Sequence, residues 1–106
     1  MMFRQGDVLI RRVDKLPDNL NPVKPEAKGL VLAHGEATGH AHAVPVEGGK
    51  LYASNQNDYL YLTVENDTAV RHEEHKSIPL TKETIYEVRR QKEFDYWSDE
   101  SRYVAD

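Results

Sequence analysis

The apolar residues of this chain lie in short runs that are separated by turn residues, and this pattern constrains the fold most. In residues 59–64, we expect Leu60, Leu62 and Val64 to face the core, because the side chains of a strand alternate between its two faces. No comparable helical stripe appears before residue 94. The sequence therefore predicts an all-β domain, built as a small antiparallel barrel or sandwich. Further strands are expected within residues 3–13, 30–33, 40–44, 51–53, 68–72 and 84–91.

The chain has 106 residues, a length that fits one domain. We predict a single β domain over residues 1–94. Residues 95–106 mix acidic and aromatic side chains, and we expect either a short docked helix or a tail that orders on a protein partner. Residues 14–29 contain three prolines, which break helices and remove ladder donors, so a long loop is expected there.

Composition excludes several classes of function. The net charge is −4, so we do not expect nucleic acid as a partner; the alternative is an RNA or DNA accessory protein that uses Arg89, Arg90 and Lys92. The chain has no cysteine, which excludes disulfides and thiolate metal sites. It has no apolar run long enough to span a membrane, and its first residues lack the apolar core of a signal sequence. We therefore expect a cytoplasmic protein.

Four of the five histidines fall into two pairs, His40 with His42 and His72 with His75. A His-x-His pair on a strand presents both imidazoles on one face. Because neutral imidazole is a common metal ligand, we predict that these four residues bind a divalent transition metal such as Zn, Fe, Mn or Ni. The alternative is a solvated face on which the histidines share no common centre. His34 stands apart and is not a predicted ligand.

The second pair needs a bend. A three-residue spacing places two side chains on opposite faces of a regular strand, so His72 and His75 can bind one metal only if the backbone turns between them. Glu73 and Glu74 between them favour such a turn. Without it, only one of the two histidines is a ligand.

Three carboxylates stand close to the histidines in sequence. Glu36, Glu73 and Glu74 are candidates for proton transfer in catalysis, and the latter two also for orienting imidazoles. The alternative for Glu73 and Glu74 is a pair of exposed acids at a turn. We expect Asp7 to serve the turn before a strand.

Two resemblances extend this interpretation. The His40 and His42 pair, a later histidine on a separate strand and the turn and strand of residues 79–86 resemble the layout of cupins, in which an HxH pair, a glutamate and a third histidine bind one metal. The resemblance implies a cupin-like jelly roll. The cupin glutamate follows its pair, where this chain has Glu47, whereas Glu36 precedes it. The segments RQGDVL, GEATGHAH, HEEH and VRRQ are also similar to a set of small uncharacterised bacterial and phage proteins.

Two functions remain open at this point. The first is a metal-dependent enzyme of small β-barrel type with a small-molecule substrate, in which the metal activates a substrate oxygen, water or dioxygen. The second is a non-catalytic interaction module, associated with a phage or mobile element, whose metal is structural or absent. Either can form a homo-oligomer. An open coordination position favours the enzyme, and a closed or metal-free cluster favours the module.

Overall fold

The computed structural model describes residues 1–35 and 37–91, and within them the chain is built from β-strands. One 3-10 turn, η1 (Val46–Gly48), is the only helical element of the described residues. The predicted all-β fold is confirmed. The strands are β1 (Met2–Gln5), β2 (Val8–Val13), β3 (Leu20–Pro22), β4 (Leu30–His34), β5 (Ala41–Val44), β6 (Gly49–Ser54), β7 (Leu60–Val64), β8 (Thr68–Val70), β9 (Ile78–Leu80) and β10 (Thr84–Arg90).

Six strands form one antiparallel sheet in the order β1-β2-β10-β7-β6-β3. Strand β10 lies near its centre, pairing Val88 with Ile10 of β2 on one side and with Leu60 of β7 on the other. Strands β1 and β3 are the two edges and do not pair with each other. Within the described part of the chain the sheet is therefore open, and the closed barrel offered by the sequence is not formed.

The remaining strands form two hairpin ladders, β4 with β5 and β8 with β9. A single backbone bridge between Ala43 and Arg71 joins these ladders. Buried side chains from both the large sheet and the hairpins make one core, among them Ile10, Val44 and Leu80. This packing of sheet against hairpins corresponds to the sandwich alternative.

The predicted alternation holds in the central strands. Leu62 and Val64 of β7 are buried and Leu60 is partly buried. Tyr61, expected on the opposite face, is buried as well, because it pairs with Tyr52 and Glu87 on the two neighbouring strands. The outer face of the sheet is thus covered locally by its own side chains.

The predicted loop of residues 14–29 contains a short strand that the sequence analysis missed. Strand β3 lies at the edge of the large sheet and pairs with β6. Pro22 is tolerated there because an edge strand has one side without ladder hydrogen bonds. The predicted boundary at residue 94 and the tail 95–106, with its alternative docked helix, lie outside the described residues, as does Glu36. None of the described helical segments has the length and apolar character needed to cross a membrane.

Candidate metal centre

The two histidine pairs come from different hairpins that meet through the backbone. The amide of Ala43 donates to the carbonyl of Arg71 (3.0 Å), and the amide of Arg71 donates to the carbonyl of Ala43 (2.8 Å). This bridge sets His42, just before Ala43, beside His72, just after Arg71. The bridge between strands distant in sequence therefore brings the pairs together.

The four rings form one contact cluster. The ring centroid of His72 lies 4.3 Å from that of His42, 4.7 Å from that of His75 and 5.7 Å from that of His40. The rings of His42 and His75 are 5.9 Å apart. His72 is thus the member that touches all the others, and the backbone bends at residues 73–75 as the spacing of the second pair requires.

Two glycines allow this crowding. A Cβ added at Gly6, in the turn between β1 and β2, would lie 2.9 Å from Nε2 of His75, and the φ angle of Gly6 is +60°. A Cβ added at Gly35 would lie 2.9 Å from Nε2 of His72 and 3.0 Å from Cβ of His40. A side chain at either position would push against the imidazoles.

His42 is buried and held by a buried glutamine. The side-chain amide nitrogen of Gln5 donates to the carbonyls of Val70 (3.2 Å) and Lys76 (2.9 Å), which turns its oxygen toward Nδ1 of His42 at 2.9 Å. Nδ1 of His42 is therefore the protonated nitrogen, and Nε2 keeps its lone pair. Burial lowers the pKa of His42 to about 4, with His72 and His75 adding to the effect and Asp7 opposing it.

His40 has the same protonation pattern in a more exposed setting. Its Nδ1 donates to the carboxylate of Glu74 at 2.9 Å. In the neutral ring, Nε2 of His40 therefore carries the lone pair and is available as a ligand. A carboxylate that accepts from one imidazole nitrogen is the usual partner of a metal-binding histidine.

His72 differs from these two. Its Nδ1 accepts a hydrogen bond from the backbone amide of Glu74 at 3.0 Å, so the neutral ring carries its proton on Nε2. Glu74 thus contacts two histidines, through its carboxylate to His40 and through its amide to His72.

Glu73 completes a compact set of donor atoms. One ligand atom from each of His40, His72 and Glu73 lies within 4.8 Å of the others. The Glu73 carboxylate also accepts from the amide of Ala41 (3.0 Å) and from the ammonium of Lys28. These contacts, that with Lys28 first, lower the pKa of Glu73 to about 2, so this carboxylate is ionised at neutral pH.

An open cavity of about 320 Å³ adjoins this donor set. Two of the donors, His72 and Glu73, form part of its wall, and the small side chains of Ala41 and Ala43 leave it room. Its full lining is Lys28, Ala41, Ala43, Pro45, Arg71, His72 and Glu73.

Comparison with known families identifies the domain to which this chain belongs and gives no function for its histidine cluster. Residues 4–91 match the profile of a family described as a domain of unknown function, DUF8820. The chain belongs to the DUF8820 family. No curated protein matches it significantly. No solved structure does so either.

The part of the chain that matches DUF8820 contains every predicted site residue, and the structure brings most of them together. The four predicted ligands and two of the predicted carboxylates lie in one cluster: His40, His42, His72, His75, Glu73 and Glu74. Glu36 lies outside the described residues. His34 stands apart, as expected, with Nε2 at 3.2 Å from the carboxylate of Glu26. Glu47 lies in η1 and is exposed.

Sequence reasoning missed two residues that contact this histidine cluster and assigned a third to a different role. Gln5 and Lys28 drew no prediction, and Asp7 was expected only in a turn. The Asp7 carboxylate forms an ion pair with Arg90 (2.9 Å) and lies 3.9 Å from Nε2 of His42. The sequence offered one signal for Gln5 and Asp7. The segment Gln5-Gly6-Asp7 is polar and stands directly before the apolar run that begins β2.

Proposed function

We propose that this domain is a metal-dependent enzyme that binds a divalent transition metal through His40, His72 and Glu73. The observation that carries the proposal is the compact set of two imidazoles and one carboxylate beside an open cavity. His42 and His75 border the same centre and are the alternative ligands. Zn and Fe both suit such a mixed nitrogen and oxygen donor set.

Three protein ligands leave a coordination position for water or substrate, which is typical of catalytic metal sites. A metal held there supplies a Lewis acid and lowers the pKa of bound water. The cavity gives a substrate access to that position. A metal buried on all sides would offer none.

The surrounding residues have distinct roles in this proposal. Glu74 orients His40 by accepting the proton of Nδ1. Glu73 is suited to be a ligand more than a proton carrier, because a general base works best with a pKa near the working pH. Lys28 contacts Oε2 of Glu73, so Oε1, which accepts from the amide of Ala41, keeps a lone pair for the metal.

His72 must change its hydrogen bonding on metal binding. Its Nδ1 accepts from the amide of Glu74, so Nε2 carries the proton. Coordination through Nε2 would move that proton to Nδ1, and coordination through Nδ1 would use the same lone pair as the amide does. Either way the Glu74 amide loses this partner, and its NMR resonance reports on binding.

The alternative is a structural metal, or none, in a non-catalytic interaction module. One observation favours it: the Gln5 and His42 pair is buried and belongs to the core of the domain. A site that recruited His42 and His75 in addition to His40 and His72 would be closed by four imidazoles.

Metal content of the full chain, purified untagged and without chelator or added metal, tests the proposal. We expect about one equivalent of one metal in the wild type and in the control His34→Ala, whose histidine stands apart. His40→Ala, His72→Ala and Glu73→Gln should each lose most of it. Absence of metal in the wild type, with no binding of added Zn, Fe or Mn, would refute the proposal.

A second measurement separates the enzyme from the structural site. Water-proton relaxation of Mn-loaded protein detects water that exchanges on and off the metal. We expect an enhancement that His42→Ala and His75→Ala leave in place. No exchangeable water, together with metal loss in these two variants, would favour the closed four-histidine site.

A further inference from the structure

The cavity beside the donor set has an uneven distribution of charge. Arg71 and Lys28 both line it, together with the carboxylate of Glu73. Lys28 is paired with Glu73. Arg71 is therefore the cation in this wall that the Glu73 carboxylate does not neutralise.

The backbone and the side chain of Arg71 differ in their contacts with the described residues. Its amide and carbonyl both bond to Ala43, which holds its Cα at the edge of the cavity. Within the described residues its guanidinium takes part in no hydrogen bond or ion pair, and the residue is exposed. By contrast, Arg11 and Arg90 are paired with Glu87 and Asp7. A guanidinium without a partner offers a fork of donors to a planar or tetrahedral anion.

The dimensions fit a small molecule. About 320 Å³ is near the lower end of ligand pockets, which begin at about 300 Å³. Ala41 and Ala43 contribute apolar lining to the same cavity as Arg71, His72 and Glu73. A short molecule with an anionic end could reach both Arg71 and the metal position.

We propose that Arg71 and this cavity form a subsite for the anionic group, a carboxylate or phosphate, of a small-molecule substrate. As the substrate subsite of a metal enzyme it rests on the function proposed above. As an anion site it stands on Arg71 and the cavity alone, so the two can be tested separately.

Titration of the ¹⁵N-labelled full chain by NMR with malonate and, separately, with inorganic phosphate tests the subsite. In metal-stripped protein we expect saturable shifts of the Arg71 Nε–H and of the amides of Ala41 and Ala43. The anion that binds more tightly identifies the class of group. Zinc-loaded protein should bind the same anion more tightly, because the metal adds positive charge to the same cavity.

Three variants make the test specific. Arg71→Gln should weaken binding about tenfold or more, because it removes a charge-assisted pair of hydrogen bonds. Arg71→Lys should weaken it less, since it keeps the charge and loses the fork. Arg12→Gln, on the exposed face of β2, makes the same change of net charge and should leave the affinity within about twofold.

Each outcome decides a separate question. Equal weakening by Arg71→Gln and Arg12→Gln, or shifts confined to other basic residues, would overturn the subsite. Zinc binding without anion binding would also overturn it, while leaving the metal centre intact. Anion binding that depends on Arg71 in a protein that takes up no metal would support the subsite and remove the proposed enzyme.

Discussion

The histidine cluster has a buried half, His42 with Gln5, and an exposed half, His40 with Glu74. In both halves Nδ1 of the histidine donates a hydrogen bond to a side-chain oxygen. Nδ1 of His42 lies 2.9 Å from Gln5, and Nδ1 of His40 lies 2.9 Å from Glu74. The Gln5 residue is fully buried, whereas the Glu74 side chain is 65% exposed. Since water can replace the second bond and not the first, we expect the buried half to govern stability and the exposed half to govern ligand binding.

Replacement of Gln5 should have the largest effect on stability. Gln5→Ala removes the hydrogen bonds of this side chain to the carbonyls of Val70 and Lys76 and to Nδ1 of His42, of which the first and the third are buried, so we expect a loss of about 3–4 kcal/mol in the free energy of unfolding. Urea denaturation measures it. Gln56→Ala, in an exposed loop, is the matched control and should cost less than about 0.5 kcal/mol. A loss below about 1 kcal/mol for Gln5→Ala would mean that the buried half does not stabilise the fold more than the exposed half does.

The pH dependence of stability should be the next largest effect. The unfolded chain takes up a proton at His42 below pH 6.5, and the folded chain does so only near pH 4. Folded protein therefore binds fewer protons in this window, and stability falls as the pH falls from 6.5 to 4. The loss from His42 should reach at most about 3 kcal/mol.

Denaturation of metal-stripped protein at several pH values measures this effect. His42→Gln should remove that part of the pH dependence, and His34→Gln should retain it. If His42→Gln does not fold, NMR titration of the His42 ring in the wild type gives the same information. A midpoint near 6.5 would contradict the buried, neutral state of this ring.

The exposed half should show a small effect on stability and a clear one on metal binding. Glu74→Gln removes the carboxylate that orients His40, so we expect metal affinity to fall about 10–100-fold. The free energy of unfolding should change by less than about 0.5 kcal/mol, because the side chain is exposed. Isothermal titration calorimetry with Zn measures the affinity. Glu47→Gln, with the same change of charge, should bind Zn as the wild type does, and equal losses in both variants would point to net charge alone.

Much of the fold followed from local sequence patterns. Alternation in residues 59–64 and 84–91 predicted the two strands at the centre of the large sheet. Strand β3 was missed because Pro22 and its neighbours read as a loop, and its pairing with β6 depends on distant residues. The sequence also could not decide between a closed barrel and an open sheet, since closure depends on whether the two edge strands pair with each other.

The site was predictable in its parts and not in its connections. The two-residue spacing predicted a shared strand face for His40 and His42, but His40 lies just before β5. The three-residue spacing predicted that the backbone bends between His72 and His75. Gln5 was overlooked because its partners His42 and Val70 are 37 and 65 residues away in sequence. Polar residues of this kind acquire a role only when the chain buries them.

The sequence by itself determined the all-β class of the domain and the two histidine pairs, because both follow from short spacings along the chain. Tertiary structure decided which hairpins meet, through the bridge between Ala43 and Arg71. It also decided which ring nitrogen is protonated in neutral His40, His42 and His72, and the place of Arg71 beside the cavity. These features depend on hydrogen bonds and burial between distant segments, which no local pattern encodes.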